Sequence, residues 1–164
     1  KDAVSAVSLM AEIAAWGKEK GMDMNAMLMD IYKTYGYSKE KGVSLVRQGK
    51  SGAEEIAAIM KQFRENPLKT LAGSPVVLVK DFASLEAKNM ATGAVEKLEM
   101  PVTSNVLQYF TEDGTKVSIR PSGTEPKIKF YMEVHGTLAS AEEYEATNVA
   151  AEEKLAVIAK ELGI

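Results

Sequence analysis

The sequence predicts an α+β domain in which an antiparallel sheet of about four strands has helices on one face. Residues 127–135 alternate strictly between apolar and polar side chains, which is the pattern of a strand with one buried face. Two more strand patterns, 106–111 and 115–120, flank an Asp-Gly dipeptide that supplies the positive φ values of a tight hairpin turn. Beyond residue 37, the order strand, helix, several strands, helix favours two layers, one of sheet and one of helices.

Two helical patterns come first in the chain. Apolar residues spaced three and four apart over residues 2–16 predict a first helix, with Gly17 and Gly21 as its stop. A second helical pattern is capped by Asp23 and ends at Gly36. We expect two short helices that bury little by themselves.

A strand and a helix follow this pair. The strand is predicted around residues 43–47. Ser51 and Glu54 have the spacing of a capping box, in which each side chain satisfies a backbone donor at the other's position. The helix that they start is expected to end before Pro67.

The sequence patterns of the remaining strands and of the last helix differ in strength. A β-branched run at residues 76–79 predicts a buried strand, and a weaker pattern near 95–98 indicates a short one. A last helix is expected to begin near Ser140. It is rich in glutamate at its start and has Lys160 near its end, as the helix dipole favours.

The composition is that of a globular chain without a nucleic-acid partner. Of the 164 residues, 46% are hydrophobic, which is enough for the core of one ordinary domain. A dedicated nucleic-acid binder needs a basic face, which the formal net charge of −3 argues against. No apolar run approaches the length that spans a bilayer, and no cysteine is present for a disulfide scaffold or a thiolate zinc site. We expect a cytoplasmic protein with neither a nucleic-acid nor a membrane partner.

The segment with the clearest chemistry is 120–127, Arg-Pro-Ser-Gly-Thr-Glu-Pro-Lys, which joins two predicted strands. Arg120 offers a planar fork that matches two phosphate oxygens, and the hydroxyls of Ser122 and Thr124 can each donate a hydrogen bond. Gly123 lets the backbone approach a ligand closely, and the two prolines restrict the loop. Such a segment is suited to hold an oxyanion. The alternative is a stiff turn with ordinary surface charges.

Strand alternation predicts where the charges of this segment point. Arg120 falls on the polar side of its strand and projects away from the core. Lys127 and Lys129 continue on the outward face of the next strand, so Lys127 is a possible auxiliary ligand. Glu125 would repel a phosphate if it pointed inward, so we expect it to point away or to pair with a lysine.

The run 120–131, RPSGTEPKIKFY, resembles the phosphate-binding motif in the last domain of the α-D-phosphohexomutases, the family of phosphoglucomutases and phosphomannomutases. The resemblance is specific and extends over most of the chain. Residues 1–4 are similar to the family's stretch just after its third-domain sugar motif, and residues 32–36 and 51–67 also resemble the family.

The resemblance implies a domain organisation and an activity. Residues 37–164 would be the family's fourth, TBP-like domain, and residues 1–36 the helices left from the preceding α/β domain. The parent enzyme would interconvert glucose or mannose 1- and 6-phosphates through a phosphoserine and a bisphosphate intermediate, with Mg²⁺. Because the chain opens at Lys1 rather than at a methionine, we expect a piece of a longer polypeptide, whose upstream domains are its partners.

The resemblance also assigns roles to the loop. The phosphate that is not being transferred would be held by Arg120, Ser122, Gly123 and Thr124. The family's catalytic serine and metal loop have no counterpart in this sequence, so we expect no catalytic residue, no metal ligand and no activity in this chain alone. The alternative function is a stand-alone α+β interaction module whose lysine-bearing sheet face binds an acidic partner or RNA.

Overall fold

In a computed structural model that describes residues 2–47 and 49–164, two helices are followed by a strand, a helix, seven strands and a last helix. Lys1 and Gln48, which fall within the segments discussed above, lie outside the described residues. The helices are α1 (Ala3–Glu19), α2 (Met24–Tyr35), α3 (Gly49–Glu65) and α4 (Tyr144–Leu162), and a 3₁₀ turn, Ala141–Glu143, precedes α4. The strands are β1 (Tyr37–Val46), β2 (Thr70–Leu71), β3 (Ser74–Asp81), β4 (Glu86–Asn89), β5 (Val95–Lys97), β6 (Leu107–Thr111), β7 (Lys116–Pro121) and β8 (Lys127–Gly136).

The strands form one sheet in the order β1-β8-β7-β6-β3-β4-β5, and β2 pairs with β3 beside this path. The pairings β2–β3, β3–β4, β3–β6, β4–β5, β6–β7 and β7–β8 are antiparallel. This confirms the α+β class with an antiparallel sheet. The expected count of about four strands is wrong, since the described residues contain eight.

The sequence did not predict β2 or β4, and it indicated β5 only weakly, near residues 95–98. β4 reads Glu-Ala-Lys-Asn and β5 reads Val-Glu-Lys, and all three residues of β5 are exposed. β2 contains only two residues. Because each of these strands buries one side chain or none, they show no apolar alternation, and backbone pairing with a neighbour is what defines them.

One face of the central strands forms the core. Val117 and Ile119 of β7 have no exposed surface, and the residues paired with them on β6 and β8 are buried as well. Helix α3 packs on this face through Phe63, whose ring centroid lies 6.4 Å from that of Tyr109 and 6.1 Å from that of Phe130. The Tyr109 hydroxyl donates a hydrogen bond of 2.7 Å to the Phe63 carbonyl. The opposite face, which carries Arg120, is the polar one.

The start of α3 differs from the prediction. The helix begins at Gly49, so Ser51 lies inside its first turn and is not the residue that caps it. The predicted capping box of Ser51 and Glu54 is therefore wrong. The sequence has the required glutamate three residues after the serine, but a capping box also requires the serine to precede the first helical residue.

The chain divides into two compact units. The first comprises the chain up to Ser38 together with Gly136–Val149, and the second comprises Lys39–His135 and Ala150–Ile164. Much of the apolar surface of α1 is exposed in the first unit, including 79% of Val4 and 54% of Trp16. The predicted boundary between residues 1–36 and 37–164 stays a prediction.

Helix α1 continues through Gly17, where the sequence predicted its stop. A Cβ atom at Gly17 would lie 2.6 Å from Cε of Met27 and 2.8 Å from its Sδ. Gly17 therefore leaves room for the end of the Met27 side chain between α1 and α2, and it does not end the helix. Gly21, with φ of +69°, follows the end of α1.

The hairpin between β6 and β7 is confirmed, and only its glycine has a positive φ, +83° at Gly114. Asp113 joins this hairpin to α4. Its carboxylate accepts hydrogen bonds from the Thr111 hydroxyl (2.6 Å), the Thr115 amide (3.1 Å) and the Lys154 ammonium group (2.7 Å). Burial acts to raise the pKa of Asp113, but these donors outweigh it and hold the pKa well below its ordinary value.

Replacing Asp113 with alanine should lower the free energy of unfolding by about 1 to 2 kcal/mol at pH 7. We place the loss in this modest range because 41% of the side chain is exposed to solvent screening. Since the folded-state pKa is depressed, this stabilisation is present above the unfolded-state pKa of about 4 and is lost as pH falls below it. Urea unfolding of wild type and Asp113→Ala at pH 7 and pH 3 should therefore show a difference that shrinks in acid. An equal difference at both pH values would contradict this role of the carboxylate.

Candidate phosphate-binding site

The loop between β7 and β8 is closed by backbone hydrogen bonds. The Ser122 amide donates to the Lys127 carbonyl at 2.8 Å, and the Lys127 amide donates to the Glu125 carbonyl at 2.7 Å. The Arg47 amide, just after β1, donates to the Pro126 carbonyl at 2.9 Å. These bonds give the loop a defined shape. The first two close the loop on itself, and the third attaches Pro126 to the segment after β1.

Inside the loop, the hydroxyl oxygen of Ser122 accepts long hydrogen bonds from the amides of Thr124 (3.4 Å) and Glu125 (3.3 Å). Its hydrogen is still available to a ligand. A Cβ atom at Gly123 would meet no atom within 4 Å, and the φ of Gly123 is not in the left-handed region. The local fold therefore does not require glycine at this position, and the space beside it is open.

Two cations face each other at the base of the loop. Arg120 of β7 pairs in register with Lys129 of β8, and both side chains lie on the polar face of the sheet. Neither forms a salt bridge with another residue in the described part of the chain. Like charges opposite each other on paired strands are destabilising, so an anion placed between them would relieve the repulsion.

Glu125 and Lys127 neutralise each other. The Lys127 ammonium group forms an ion pair with the Glu125 carboxylate, as expected from the sequence. A hydrogen bond from Lys127 and the charges of Lys127 and Lys129 lower the pKa of Glu125 below its ordinary value. The carboxylate is thus held by a neighbouring lysine and is not left to oppose a bound anion.

The structure brings all five residues proposed from the sequence into the lining of one cavity of about 390 Å³. Its lining consists of Arg120, Pro121, Ser122, Gly123, Thr124, Glu125, Lys127, Lys129 and Tyr131. The sequence placed Lys129 on the outward face but did not include it, or Tyr131, in the site. Alternation along β8 is the signal for both, since residues 127, 129 and 131 share a face.

A metal site would need a cluster of ligands, and residues 2–47 and 49–164 contain no group of three or more histidines and carboxylates that could hold an ion. We therefore assign no step to a metal held by this chain. Within the same residues, no helix is long and apolar enough to cross a membrane.

Fold and cavity together define an antiparallel α+β domain with a cationic loop at one end of two central strands. Residues 45–151 match the family described as phosphoglucomutase/phosphomannomutase, C-terminal domain. The chain belongs to this family, which confirms the resemblance of its loop motif and of most of its length.

The relatives are longer proteins. The chain is 34% identical over 151 residues to a phosphoglucomutase of Staphylococcus saprophyticus, and the match covers 91% of this chain and 27% of the relative. A phosphoglucomutase of Staphylococcus haemolyticus is 31% identical over 82% of this chain and 24% of its own length. An open-form crystal structure of Paramecium parafusin, a phosphoglucomutase, matches 100% of this chain and 28% of its own length, with 17% identity and a TM-score of 0.45. The chain thus spans about a quarter of the length of these relatives.

Replacing Gly123 with alanine should weaken phosphate binding without changing the stability of the fold. Because the added methyl group meets nothing, the free energy of unfolding should change by less than about 0.5 kcal/mol. Phosphate affinity should fall because the methyl group enters the space that a ligand would occupy. The same exchange at Gly114, whose φ is +83°, should instead cost about 1 to 2 kcal/mol of stability. Unchanged phosphate affinity in Gly123→Ala would mean that ligands do not approach this backbone.

Proposed function

We propose that this chain is the phosphate-binding C-terminal domain of a phosphohexomutase, and that its loop holds the phosphate of the hexose phosphate that is not being transferred. The observation that carries the proposal is the pair Arg120 and Lys129, which lie opposite each other beside the open space at Gly123 and have no salt-bridge partner in the described residues. The family membership of the chain supports it.

Charge balance favours a phosphate ester as the ligand. A phosphate monoester carries about 1.5 to 2 negative charges at neutral pH. Lys127 is paired with Glu125, so Arg120 and Lys129 are the two cations of the cavity without an acidic partner in the described residues. Their combined charge matches that of the ester. Lys127 remains an auxiliary ligand in this proposal, available if Glu125 releases it.

The donors of the loop complement these cations. The Arg120 guanidinium can bind two phosphate oxygens with its planar fork. The hydroxyls of Ser122 and Thr124 can donate to further oxygens, and the amide of Gly123 has no acceptor among the described residues. A phosphate held in this way is fixed in orientation as well as in position.

Holding a non-reacting phosphate assists the transfer at the other end of the sugar. Binding energy from a remote group can position the reacting atoms and so lower the barrier. In the proposed reaction a phosphoserine in the missing part of the protein phosphorylates the sugar, and the bisphosphate intermediate then turns over. The same loop would therefore bind either phosphate in succession. We propose that the serine and the Mg²⁺ site lie outside this chain and that glucose or mannose phosphates are the substrates.

Expressing the longer polypeptide that contains this chain tests the proposal. It should convert glucose 1-phosphate or mannose 1-phosphate to the 6-phosphate, and the 164-residue chain alone should not. Substituting Arg120 in the longer polypeptide should reduce the rate, whereas the same charge change at Lys97, on the opposite edge of the sheet, should not. Turnover by the isolated chain, or no activity on either sugar by the active-site-containing polypeptide, would overturn the proposal.

A further inference from the structure

The cavity extends beyond the phosphate loop along the polar face of β8, where Tyr131 is its aromatic lining residue. Tyr131 lies two residues beyond Lys129 on the same face and is 46% exposed. Two residues of strand correspond to about 7 Å. The ring therefore lines the same cavity as the loop, on the side away from the β7–β8 turn.

The small neighbours of Tyr131 leave about half of its side chain exposed. Its register partner on β7 is Ser118, a small residue whose hydroxyl accepts a hydrogen bond from Gln108 at 3.0 Å. Next to the ring is Gly42, whose Cβ, if present, would lie 3.9 Å from Cδ1 of Tyr131. The Tyr131 hydroxyl forms no hydrogen bond with another described residue. Both the ring and its hydroxyl are therefore free to contact a ligand.

A single exposed aromatic residue on a surface needs no special explanation. Tyr131 differs because it lies in the same cavity as Arg120 and Lys129, the two cations that have no salt bridge within residues 2–47 and 49–164. An aromatic ring presents an electron-rich face and an apolar body, and tyrosine adds a polar tip. A pyranose ring has the complementary surface, with polarised C–H groups on its faces and hydroxyls at its edge.

We propose that Tyr131 packs against the sugar ring of a bound hexose phosphate and so distinguishes it from phosphate esters without a ring. This inference rests on the proposed function, since the loop must hold the phosphate for the ring to be presented. Tyr131 is then a specificity-determining residue at the sugar end of the cavity. The loop residues supply affinity for phosphate alone.

Titrations of the 164-residue chain followed by NMR test this role with three ligands: glucose 6-phosphate, glycerol 3-phosphate and inorganic phosphate. In the wild type, glucose 6-phosphate should bind about three- to tenfold more tightly than glycerol 3-phosphate, the range expected for an aromatic contact. Tyr131→Leu should remove this preference, whereas Tyr131→Phe should keep most of it. Affinity for inorganic phosphate should be the same in all three proteins.

The possible outcomes separate this inference from the proposed function. If phosphate binds and Tyr131→Leu retains the full preference for glucose 6-phosphate, the role of Tyr131 is overturned and the phosphate site stands. Equal affinities for the two esters in the wild type lead to the same conclusion. If none of the ligands shifts the amides of the loop in the wild type, the phosphate site itself fails, and the role of Tyr131 fails with it.

Discussion

In the longer phosphohexomutase proposed above, replacing Arg120 with alanine is expected to lower kcat/KM by about 2 to 4 kcal/mol of transition-state stabilisation, or roughly 30- to 1,000-fold. The change removes the guanidinium group from the cavity. Of the two cations without an acidic partner in the described residues, only Lys129 then remains. If the phosphate is held in substrate and transition state alike, much of the loss should fall on KM. If the loop orients the reacting end, kcat should fall too.

The same substitution should not weaken the fold. Arg120 is exposed, and the residue opposite it carries the same charge. Its removal should therefore leave the free energy of unfolding unchanged or raise it by a few tenths of a kcal/mol. Arg120→Lys should keep the charge but lose the two-pronged contact, so its kcat/KM should lie between those of wild type and Arg120→Ala.

Lys97→Ala is the control for net charge. Lys97 lies in the exposed strand β5 at the far edge of the sheet. Its replacement by alanine removes one positive charge, as Arg120→Ala does. Its kcat/KM should stay within about twofold of wild type. Near wild-type kinetics for Arg120→Ala, or an equal loss for Lys97→Ala, would mean that the β7–β8 loop is structural.

Phe130→Ala should have the largest effect on stability, a loss of about 3 to 5 kcal/mol. The side chain is 1% exposed and its ring contacts Phe63 of α3. Removing it leaves a cavity between sheet and helix, at a cost comparable to a large part of a typical domain's total stability. Equilibrium unfolding in urea measures the change. Phe130→Leu, expected to lose about 1 to 2 kcal/mol, covers the case in which the alanine variant does not fold.

Tyr131→Ala is the matched control for this prediction. Residue 131 follows Phe130 directly on β8 but lies on the polar face, 46% exposed. Truncating it should change the free energy of unfolding by less than about 1 kcal/mol. Similar losses at both positions would contradict the assignment of the two faces of the sheet.

The central strands could be predicted because their burial is periodic. The alternation in β8 predicted that residues 128, 130, 132 and 134 face the core, and all four are buried. The hairpin of β6 and β7 was predicted in the same way, from two apolar patterns around an Asp-Gly turn. In such strands each side chain reports which face it lies on, so sequence alone is sufficient.

Elsewhere, the missing information lies in neighbours that are distant in sequence. β4 was not predicted because its own side chains are mostly exposed and only its pairing with β3 and β5 defines it, and the exposed β5 gave only a weak signal near residues 95–98. Gly17 was taken for a stop because its contact with Met27 cannot be seen in the sequence of α1. Local patterns cannot distinguish such a glycine from one that ends a helix.

The candidate site likewise has a part that the sequence predicted and a part that depends on strand pairing. The motif predicted Arg120, Ser122, Gly123 and Thr124 as site residues. The repulsion between a carboxylate and a phosphate predicted that Glu125 would point away or pair with a lysine, and it pairs with Lys127. The opposition of Arg120 and Lys129 depends on the register between β7 and β8, which the sequence does not specify. Alternation along β8 places Tyr131 on the same face as Lys129, but the extent of the cavity along that face could not be predicted from the sequence. The predicted roles of these residues await binding measurements.

The most direct test of the phosphate site is a titration of the 164-residue chain with inorganic phosphate at constant ionic strength, followed at the backbone amides of Ser122, Gly123 and Thr124. We expect saturable shifts at these amides at millimolar phosphate, no shifts with chloride, and at least a tenfold weaker affinity in Arg120→Ala. The absence of shifts at saturating phosphate, or the same affinity in Arg120→Ala, would contradict the assignment of this loop as a phosphate-binding site.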